Sequence, residues 1–259
     1  MQSTEHAERT KYASAAVAAF RLEGTRLLVT GAAGGIGAAT AKLCGELGAE
    51  LVLADLVDTG QLEAVARGVP GVAAVVRCDL GDRDAVERMA RDLGPFDALA
   101  DAAGICPYDD DWMAPDWNDV AFMKVMRVNV LGPINLVRAL LPGMIERRHG
   151  RIALCGSIAG WSGGLRAGAH YAASKGGVHA LVRWFSQRAT PHGVTVNGVA
   201  PGPVLSGMTA GHGYSADTYP MKRMGEPQEI ASVLAFLCSP GASYLAGAII
   251  DANGGTYLR

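Results

Sequence analysis

Two side chains set the chemistry that this sequence can attempt. Tyr171 and Lys175 stand four residues apart in Tyr171-Ala172-Ala173-Ser174-Lys175. If Tyr171 opens a helix, positions i and i+4 share one face, and a phenol and an ammonium project into the same space. A neighbouring cation favours phenolate and lowers the tyrosine pKa. A tyrosine tuned in this way exchanges protons near neutral pH. Upstream lies a glycine-rich turn, Thr30-Gly31-Ala32-Ala33-Gly34-Gly35-Ile36-Gly37. What such a turn would place beside the pair is a dinucleotide.

The turn leaves an apolar run and enters a helical pattern. Gly31 permits a sharp turn, and Gly35 and Gly37 remove side chains where backbone must approach a pyrophosphate or a neighbouring strand. The N–H groups that open the helix, around Gly34, Gly35 and Ile36, offer partial positive charge to phosphates. No Lys-Ser/Thr follows, so the turn is not a P-loop. Asp55 ends the next apolar run, about 20 residues further on, where a carboxylate accepts hydrogen bonds from an adenosine ribose. It would repel a 2′-phosphate, and no Arg or Lys stands in the turn or directly after Asp55. NAD is therefore expected over NADP. Asp79 and Leu80 follow a third run and are placed at the adenine edge. Asp101-Ala102-Ala103-Gly104 follows a fourth, and the small residues Ala103 and Gly104 would let backbone lie against the cofactor.

The elements needed to position these residues are legible as short apolar runs alternating with longer helical patterns. Strands are expected at 26–30, 50–55, 72–78, 98–102, 151–157, 194–201 and 248–251. Helices are expected from Gly35 to about Leu47, over 82–92, from Tyr171 to about Thr190, and over 226–238. A long helical pattern runs from Pro115 to Arg148, bent or split at Gly132-Pro133. Continuous apolar strands separated by helices imply a parallel sheet covered on both faces. The expected fold is a single doubly wound α/β domain with a mostly parallel seven-stranded sheet over residues 20–259, preceded by an N-terminal extension, 1–19. In such sheets ligands bind beyond the carboxyl ends of the strands.

Composition narrows the classes. The chain has 259 residues, 49% hydrophobic and 19% charged, which suffices for a substantial core. With a net charge of −2 it carries no basic stripe for nucleic acid. The alanine-rich stretch at 13–20 is too short to span a membrane, and no basic region followed by an apolar core marks a signal peptide. The five cysteines, Cys44, Cys78, Cys106, Cys155 and Cys238, lack CxxC spacing and read as free thiols in a reducing, cytoplasmic setting. No His/Asp/Glu cluster suggests a metal. Asp109, Asp110 and Asp111 lack the EF-hand pattern and read as a solvated loop.

Taken in order, these residues resemble the short-chain dehydrogenase/reductase family. The likeness rests on the turn at Thr30–Gly37, Asn129 in Val128-Asn129-Val130, Ser157 in Gly156-Ser157-Ile158-Ala159-Gly160, Tyr171 with Lys175, and Pro201-Gly202. Arg223-Met224-Gly225-Glu226-Pro227 and Asp251-Ala252-Asn253-Gly254-Gly255 extend it, so that it runs from about Phe20 to the end. The resemblance implies a one-domain Rossmann-type oxidoreductase that forms a homotetramer. It makes Tyr171 the general acid/base, and Lys175 the ligand of the nicotinamide ribose that lowers the tyrosine pKa. It gives Ser157 a hydrogen bond to the substrate oxygen and Asn129 a water in a proton relay. Backbone near Pro201 and Gly202, with Val204, would seat the carboxamide, and Ser206 offers a hydroxyl to the cofactor.

Two departures stand out. The family carries Asn-Asn-Ala-Gly where this chain has Asp101-Ala102-Ala103-Gly104, and the spacing from Ser157 to Tyr171 is one residue longer than the family pattern. Glycines between the two, including Gly163 and Gly164, would absorb the extra residue in a loop.

The chemistry that follows is hydride transfer between NAD and a secondary alcohol or ketone, with Tyr171 carrying the proton. The substrate pocket is assigned to Cys106, Ser157, Trp161 and Met208, with Ile105, Pro107, Tyr108, Leu165, His170, Tyr214, Tyr219 and Met221 nearby. Arg166 and His170 could contact an anionic group. A neutral, moderately apolar hydroxyl or ketone substrate is expected. A 3-oxoacyl-thioester reductase is the alternative within enzymes. A dinucleotide-sensing or scaffold protein that has lost catalysis is the alternative of another class. A methyltransferase would use the glycine turn but would have no need of Tyr171 and Lys175.

Overall fold

Seven short runs rich in apolar residues become strands: β1 (Arg26–Thr30), β2 (Glu50–Asp55), β3 (Val72–Arg77), β4 (Ala98–Asp101), β5 (Gly150–Cys155), β6 (Val194–Pro201) and β7 (Ile249–Ala252). They form one sheet in the order β3-β2-β1-β4-β5-β6-β7, and every adjacent pair is parallel. The structure, a computed structural model, describes residues 17–108, 111–164 and 166–258. Most of the N-terminal extension, with Asp109, Asp110 and Leu165, lies outside the described residues.

Helices follow the strands: α1 (Gly35–Glu46), α2 (Thr59–Ala66), α3 (Arg83–Leu93), α4 (Val120–Met126), α5 (Gly132–Glu146), the short α6 (Ala159–Ser162), α7 (Ala169–Ala189) and α8 (Pro227–Cys238). They cover both faces of the sheet. One core joins it to Val86 and Met89 of α3, Leu136, Val137 and Met144 of α5, and Val178 and Val182 of α7. The other joins it to Ala41 and Cys44 of α1, Leu62 of α2, and Ile230, Leu234 and Leu237 of α8. Because both faces are covered, β4 and β6 are buried along their whole length. This is why they read as continuous apolar runs rather than alternating ones.

Strand order reverses direction between β1 and β4, which opens a crevice at the carboxyl edge. Register decides which residues meet there. Thr30 pairs with Ala54 on one side and Asp101 on the other, and Asp101 pairs with Leu154. The residues that follow, Gly31, Asp55, Ala102 and Cys155, therefore form one row.

Three local features differ from expectation. Helix α2 was not legible, because Leu62 is its one fully buried residue and its apolar face is correspondingly sparse; Asp58 caps it by accepting from the Gln61 N–H at 3.0 Å. The long helix begins at Val120 rather than Pro115, after Asn118 accepts from the Val120 N–H at 3.0 Å. Its irregularity is a π-turn at Arg127–Leu131, one turn ahead of Gly132-Pro133. Proline has no N–H, so Pro133 cannot bond the carbonyl of Asn129 four residues back. The Gly132 N–H reaches five residues back to the Arg127 carbonyl instead. By length and composition the stretch Val120–Glu146 could cross a membrane. Here Val125, Leu136, Val137 and Met144 sit fully buried in the protein core instead.

Candidate active site

The glycine turn sits at the crevice, and two of its glycines are required by geometry. Gly31 has φ +66° and a Cβ there would lie 2.7 Å from the Ala103 nitrogen; a Cβ on Gly37 would lie 1.9 Å from the Gly31 carbonyl oxygen. Helix α1 then starts with no side-chain cap at Gly34 and no acidic residue in its first turn. An uncapped helix N-terminus leaves N–H donors for an anion. Ser206, on the segment after β6, packs against Gly35, where a Cβ would meet its side chain at 3.3 Å. The hydroxyl-bearing residue thus stands at the phosphate end of the crevice.

Asp55 lies at the carboxyl end of β2. One carboxylate oxygen accepts from the Ala33 N–H at 2.9 Å and the other from the Leu56 N–H at 2.7 Å. The carboxylate is thereby fixed to the turn with lone pairs remaining, the arrangement required to receive a ribose. Arg77, its partner across β3, donates from Nε to the Leu56 carbonyl at 3.0 Å, a cation that sequence distance had hidden. Asp79 accepts from the Gly81 N–H at 2.8 Å and pairs with Arg127 at 3.2 Å. The Leu80 side chain is buried, and its carbonyl accepts from Asn135 Nδ2 at 2.8 Å. Val204 is buried and bridges to Gly225, while Gly202 donates to the Ala252 carbonyl at 3.1 Å, so the segment after β6 is held at both ends.

Tyr171 and Lys175 do share a face of α7. The Lys175 ammonium lies 5.6 Å from the Tyr171 ring centroid and donates to the Cys155 carbonyl at 2.8 Å. Gly104 lies against both Lys175 and Asn129, since a Cβ there would be 3.3 Å from Nζ and 3.4 Å from Asn129 Oδ1. Asn129 is buried and its side chain is fully engaged. Oδ1 accepts from the Ile105 N–H at 2.9 Å, and Nδ2 donates to the Ile105 carbonyl at 2.9 Å and to Ser174 Oγ at 3.0 Å. Its main-chain carbonyl lacks an i+4 donor, because Pro133 has no N–H. Ser174, which donates to the Tyr171 carbonyl at 2.8 Å, ties this helix to α7, a link that the sequence pattern did not reveal.

Electrostatics correct one expectation. Lys175 was expected to hold the Tyr171 phenol below its usual value. In the structure, burial pushes it well above that value; the nearby Cys106, Cys155 and Tyr214 push the same way, and a hydrogen bond with Ser157 opposes them. The ammonium is bound to a backbone carbonyl and sits over the ring rather than at the phenol oxygen, so desolvation wins. Tyr171 is consequently a protonated donor near neutral pH in this state.

Asp101, where the family carries asparagine, ties β1 to β4 and to the loop after β4. It is 3% exposed, and its Oδ1 accepts from Thr30 Oγ1 at 2.6 Å and from the Ala103 N–H at 3.2 Å. Burial raises its pKa, while Thr30, Lys175 and the Ala103 N–H pull it down.

The pocket residues divide. Cys106 lies beside Tyr108 and within electrostatic reach of Tyr171. Ser157 is buried, and its Oγ accepts from the Ala159 N–H at 3.1 Å. Gly163 and Gly164, in the loop before Tyr171, both take positive φ just after α6. Trp161 is engaged elsewhere. Its ring lies 4.1 Å from His179 and beneath the Arg183 guanidinium, and Nε1 donates to Asp251 at 3.2 Å. A one-turn helix, α6, rotates it toward β7 and away from the Tyr171 end of α7. Met208 is exposed on the segment after Ser206.

A parallel sheet with a switch-point crevice and an uncapped glycine turn is the arrangement that receives a dinucleotide in Rossmann-type folds. A family model described as enoyl-(acyl carrier protein) reductase matches residues 31–257. The 3-oxoacyl-(acyl-carrier-protein) reductase of Vibrio cholerae is 34% identical, covering 92% of this chain and 99% of that protein. Galactitol 2-dehydrogenase (L-tagatose-forming) of Cereibacter sphaeroides is 36% identical over 91% and 96%. A solved short chain dehydrogenase/reductase family protein superposes with a TM-score of 0.85 at 34% identity, covering 92% and 99%. An Agrobacterium tumefaciens structure with bound NADP matches at TM-score 0.81 and 29% identity, over 92% and 98%. The chain belongs to the short-chain dehydrogenase/reductase family, and is an oxidoreductase that uses a nicotinamide dinucleotide.

Proposed function

We propose that the protein oxidises a secondary alcohol to a ketone, or the reverse, with NAD and with Tyr171 as the proton-carrying group. The observation that carries this reading is the convergence of Tyr171, Lys175, Ser157 and the Asn129 turn where β4, β5 and α7 meet. The bound dinucleotide supplies the hydride acceptor or donor and, when oxidised, a positive ring charge. The protein then has a proton to move. Ser157 orients the substrate oxygen toward the phenol. Tyr171, protonated in the structure, donates to the oxygen of a ketone as it gains hydride; run backward, it accepts the alcohol proton. Lys175, buried and hydrogen-bonded to the Cys155 carbonyl, places a cation near the phenol, and further positive charge in the site favours loss of the phenol proton. The Asn129 carbonyl, which has no i+4 donor, is suited to a water that relays that proton outward.

NAD is favoured by Asp55, whose anchored carboxylate would repel a 2′-phosphate. Arg77 beside it is the group that would soften this preference, and one similar structure carries bound NADP. Comparing the two cofactors at equal concentration tests the assignment: equal use would reject it. A 3-oxoacyl-thioester reductase remains the second reading, supported by the Vibrio cholerae relative. A panel of free alcohols and ketones against acyl thioesters separates the two. Assembly as a homotetramer and a cytoplasmic location complete the proposal, and sedimentation of the purified protein tests the first.

Tyr171→Phe is the decisive variant. Loss of general acid/base catalysis lowers turnover by about 10²–10⁴-fold, while NADH binding is retained. Undiminished turnover in this variant would reject the mechanism.

A further inference from the structure

The loop after β4 and the segment after β6 meet over Tyr171, and the meeting is polar. The Tyr108 and Tyr214 hydroxyls lie 3.0 Å apart within hydrogen-bond distance, with the two rings edge to face at 6.3 Å. Cys106, partly buried, stands two residues before Tyr108 on the same loop. Cys106 and Tyr214 are both close enough to the Tyr171 phenol to raise its pKa. The wall is braced from outside. His212 stacks on Tyr108 with centroids 3.9 Å apart, and the Arg166 guanidinium lies 5.6 Å from the centre of the Tyr214 ring while donating to the His212 carbonyl at 3.4 Å.

A moderately apolar substrate would meet aliphatic side chains at this position. Instead it meets two phenols and a thiol. In a bonded pair of hydroxyls one donates and the other keeps its proton, so the pair retains a free donor and several acceptor lone pairs. Half-buried hydroxyls whose bonding is incomplete favour a ligand that completes it. Rings held by stacking on His212 and Arg166 offer these groups in a fixed geometry, which lowers the entropy lost on binding.

We propose that Tyr108, Tyr214 and Cys106 form a subsite for the hydroxyl groups that flank the reacting carbon, and that the substrate is a short polyol or the hydroxyketone derived from it. The proposal rests on the dehydrogenase reading above and names its substrate class. A simple alcohol or a long acyl chain would leave the remaining donor and lone pairs of the hydroxyl pair unmet. Tyr108 and Tyr214 act here as specificity-determining residues; the proton step stays with Tyr171.

The test is binding to the NADH-loaded protein, read by nucleotide fluorescence, of a panel of hexitols against 2-hexanol. The hexitol that binds best is expected to bind about tenfold or more tightly than 2-hexanol, the equivalent of one or two hydrogen bonds. Tyr108→Phe with Tyr214→Phe removes both hydroxyls, keeps both rings, and is expected to erase that preference while leaving NADH affinity and 2-hexanol binding within about twofold. Each single variant, checked by its melting temperature, gives the same answer if the double variant does not fold. Equal binding of hexitols and 2-hexanol by the natural protein, or a preference that survives the loss of both hydroxyls, overturns the subsite and leaves the dehydrogenase reading standing. Failure to bind NADH overturns both.

Discussion

The Thr30 hydroxyl donates to the Asp101 carboxylate across 2.6 Å, joining the carboxyl ends of β1 and β4 at the crevice where the glycine turn begins. The bond holds together the two strands that flank the switch point. A carboxylate is an expensive way to make it, because an asparagine oxygen accepts the same Thr30 and Ala103 hydrogen bonds without a buried charge.

Asp101→Asn should therefore stabilise the fold. Burial raises the Asp101 pKa above its usual value, so the folded state binds this proton more tightly than the unfolded chain. The natural protein suffers no penalty below the unfolded pKa, about 4, and loses stability as pH rises from there through the folded value. Denaturant melts should show the variant equal to the natural protein near pH 3–4 and more stable by about 1–2 kcal/mol at pH 7. Equal stability at both pH values would show that Lys175 and the hydrogen bonds offset the burial.

Five free thiols should make the fold sensitive to alkali. Burial pushes Cys44 up to about 12 and Cys78 and Cys155 each up to about 11, from an ordinary value of 9.0. Their contribution is fully present below pH 9, where unfolded thiols keep their protons, and is lost as pH rises toward 11–12. The melting temperature should fall across that window. Cys44→Ala should flatten the fall, and an identical slope in that variant would remove Cys44 as its cause.

Pro133→Ala supplies the N–H that the Asn129 carbonyl lacks. The π-turn at Arg127–Leu131 should relax toward α-helix and the carbonyl should no longer be free for water. Turnover is expected to fall about tenfold or more, less than the ~10²–10⁴-fold of losing the acid/base group itself, with NADH affinity unchanged. Full activity in this variant would separate the π-turn from proton transfer.

Asp55→Ala should shift the cofactor ratio. If Asp55 faces the 2′-position as proposed, removing its carboxylate relieves like-charge repulsion, worth several kcal/mol at an interface. The efficiency with NADP should rise relative to NAD by about tenfold or more, helped by Arg77 on the adjacent strand. A ratio that stays fixed would move the discrimination away from Asp55.

Much of the molecule was legible because its signals are local. A strand buried on both faces leaves a continuous apolar run, and all seven runs became strands within a residue or two of their expected ends. Tyr171 and Lys175 are joined by helical periodicity alone. The glycine turn carries its own requirement, since Gly31 needs positive φ whatever surrounds it. Helix α2 escaped because one buried leucine makes no periodic stripe. Trp161 was placed in the pocket by its nearness to Ser157 in sequence, yet the single turn of α6 aims it at His179 and Asp251.

The sequence by itself determined the seven strands and their order along the chain, the glycine turn, and the candidacy of Tyr171, Lys175, Ser157 and Asn129. Only the tertiary structure decided how those groups are charged and what lies around them. Strand register brought Thr30 to Asp101 across 71 positions, and loop packing brought Tyr108 to Tyr214 across 106. The sign of the Tyr171 shift followed from burial, which depends on every element packed around the phenol and on no single spacing. Periodicity is set by neighbours along the chain, whereas desolvation and long-range contacts exist only once the chain has folded.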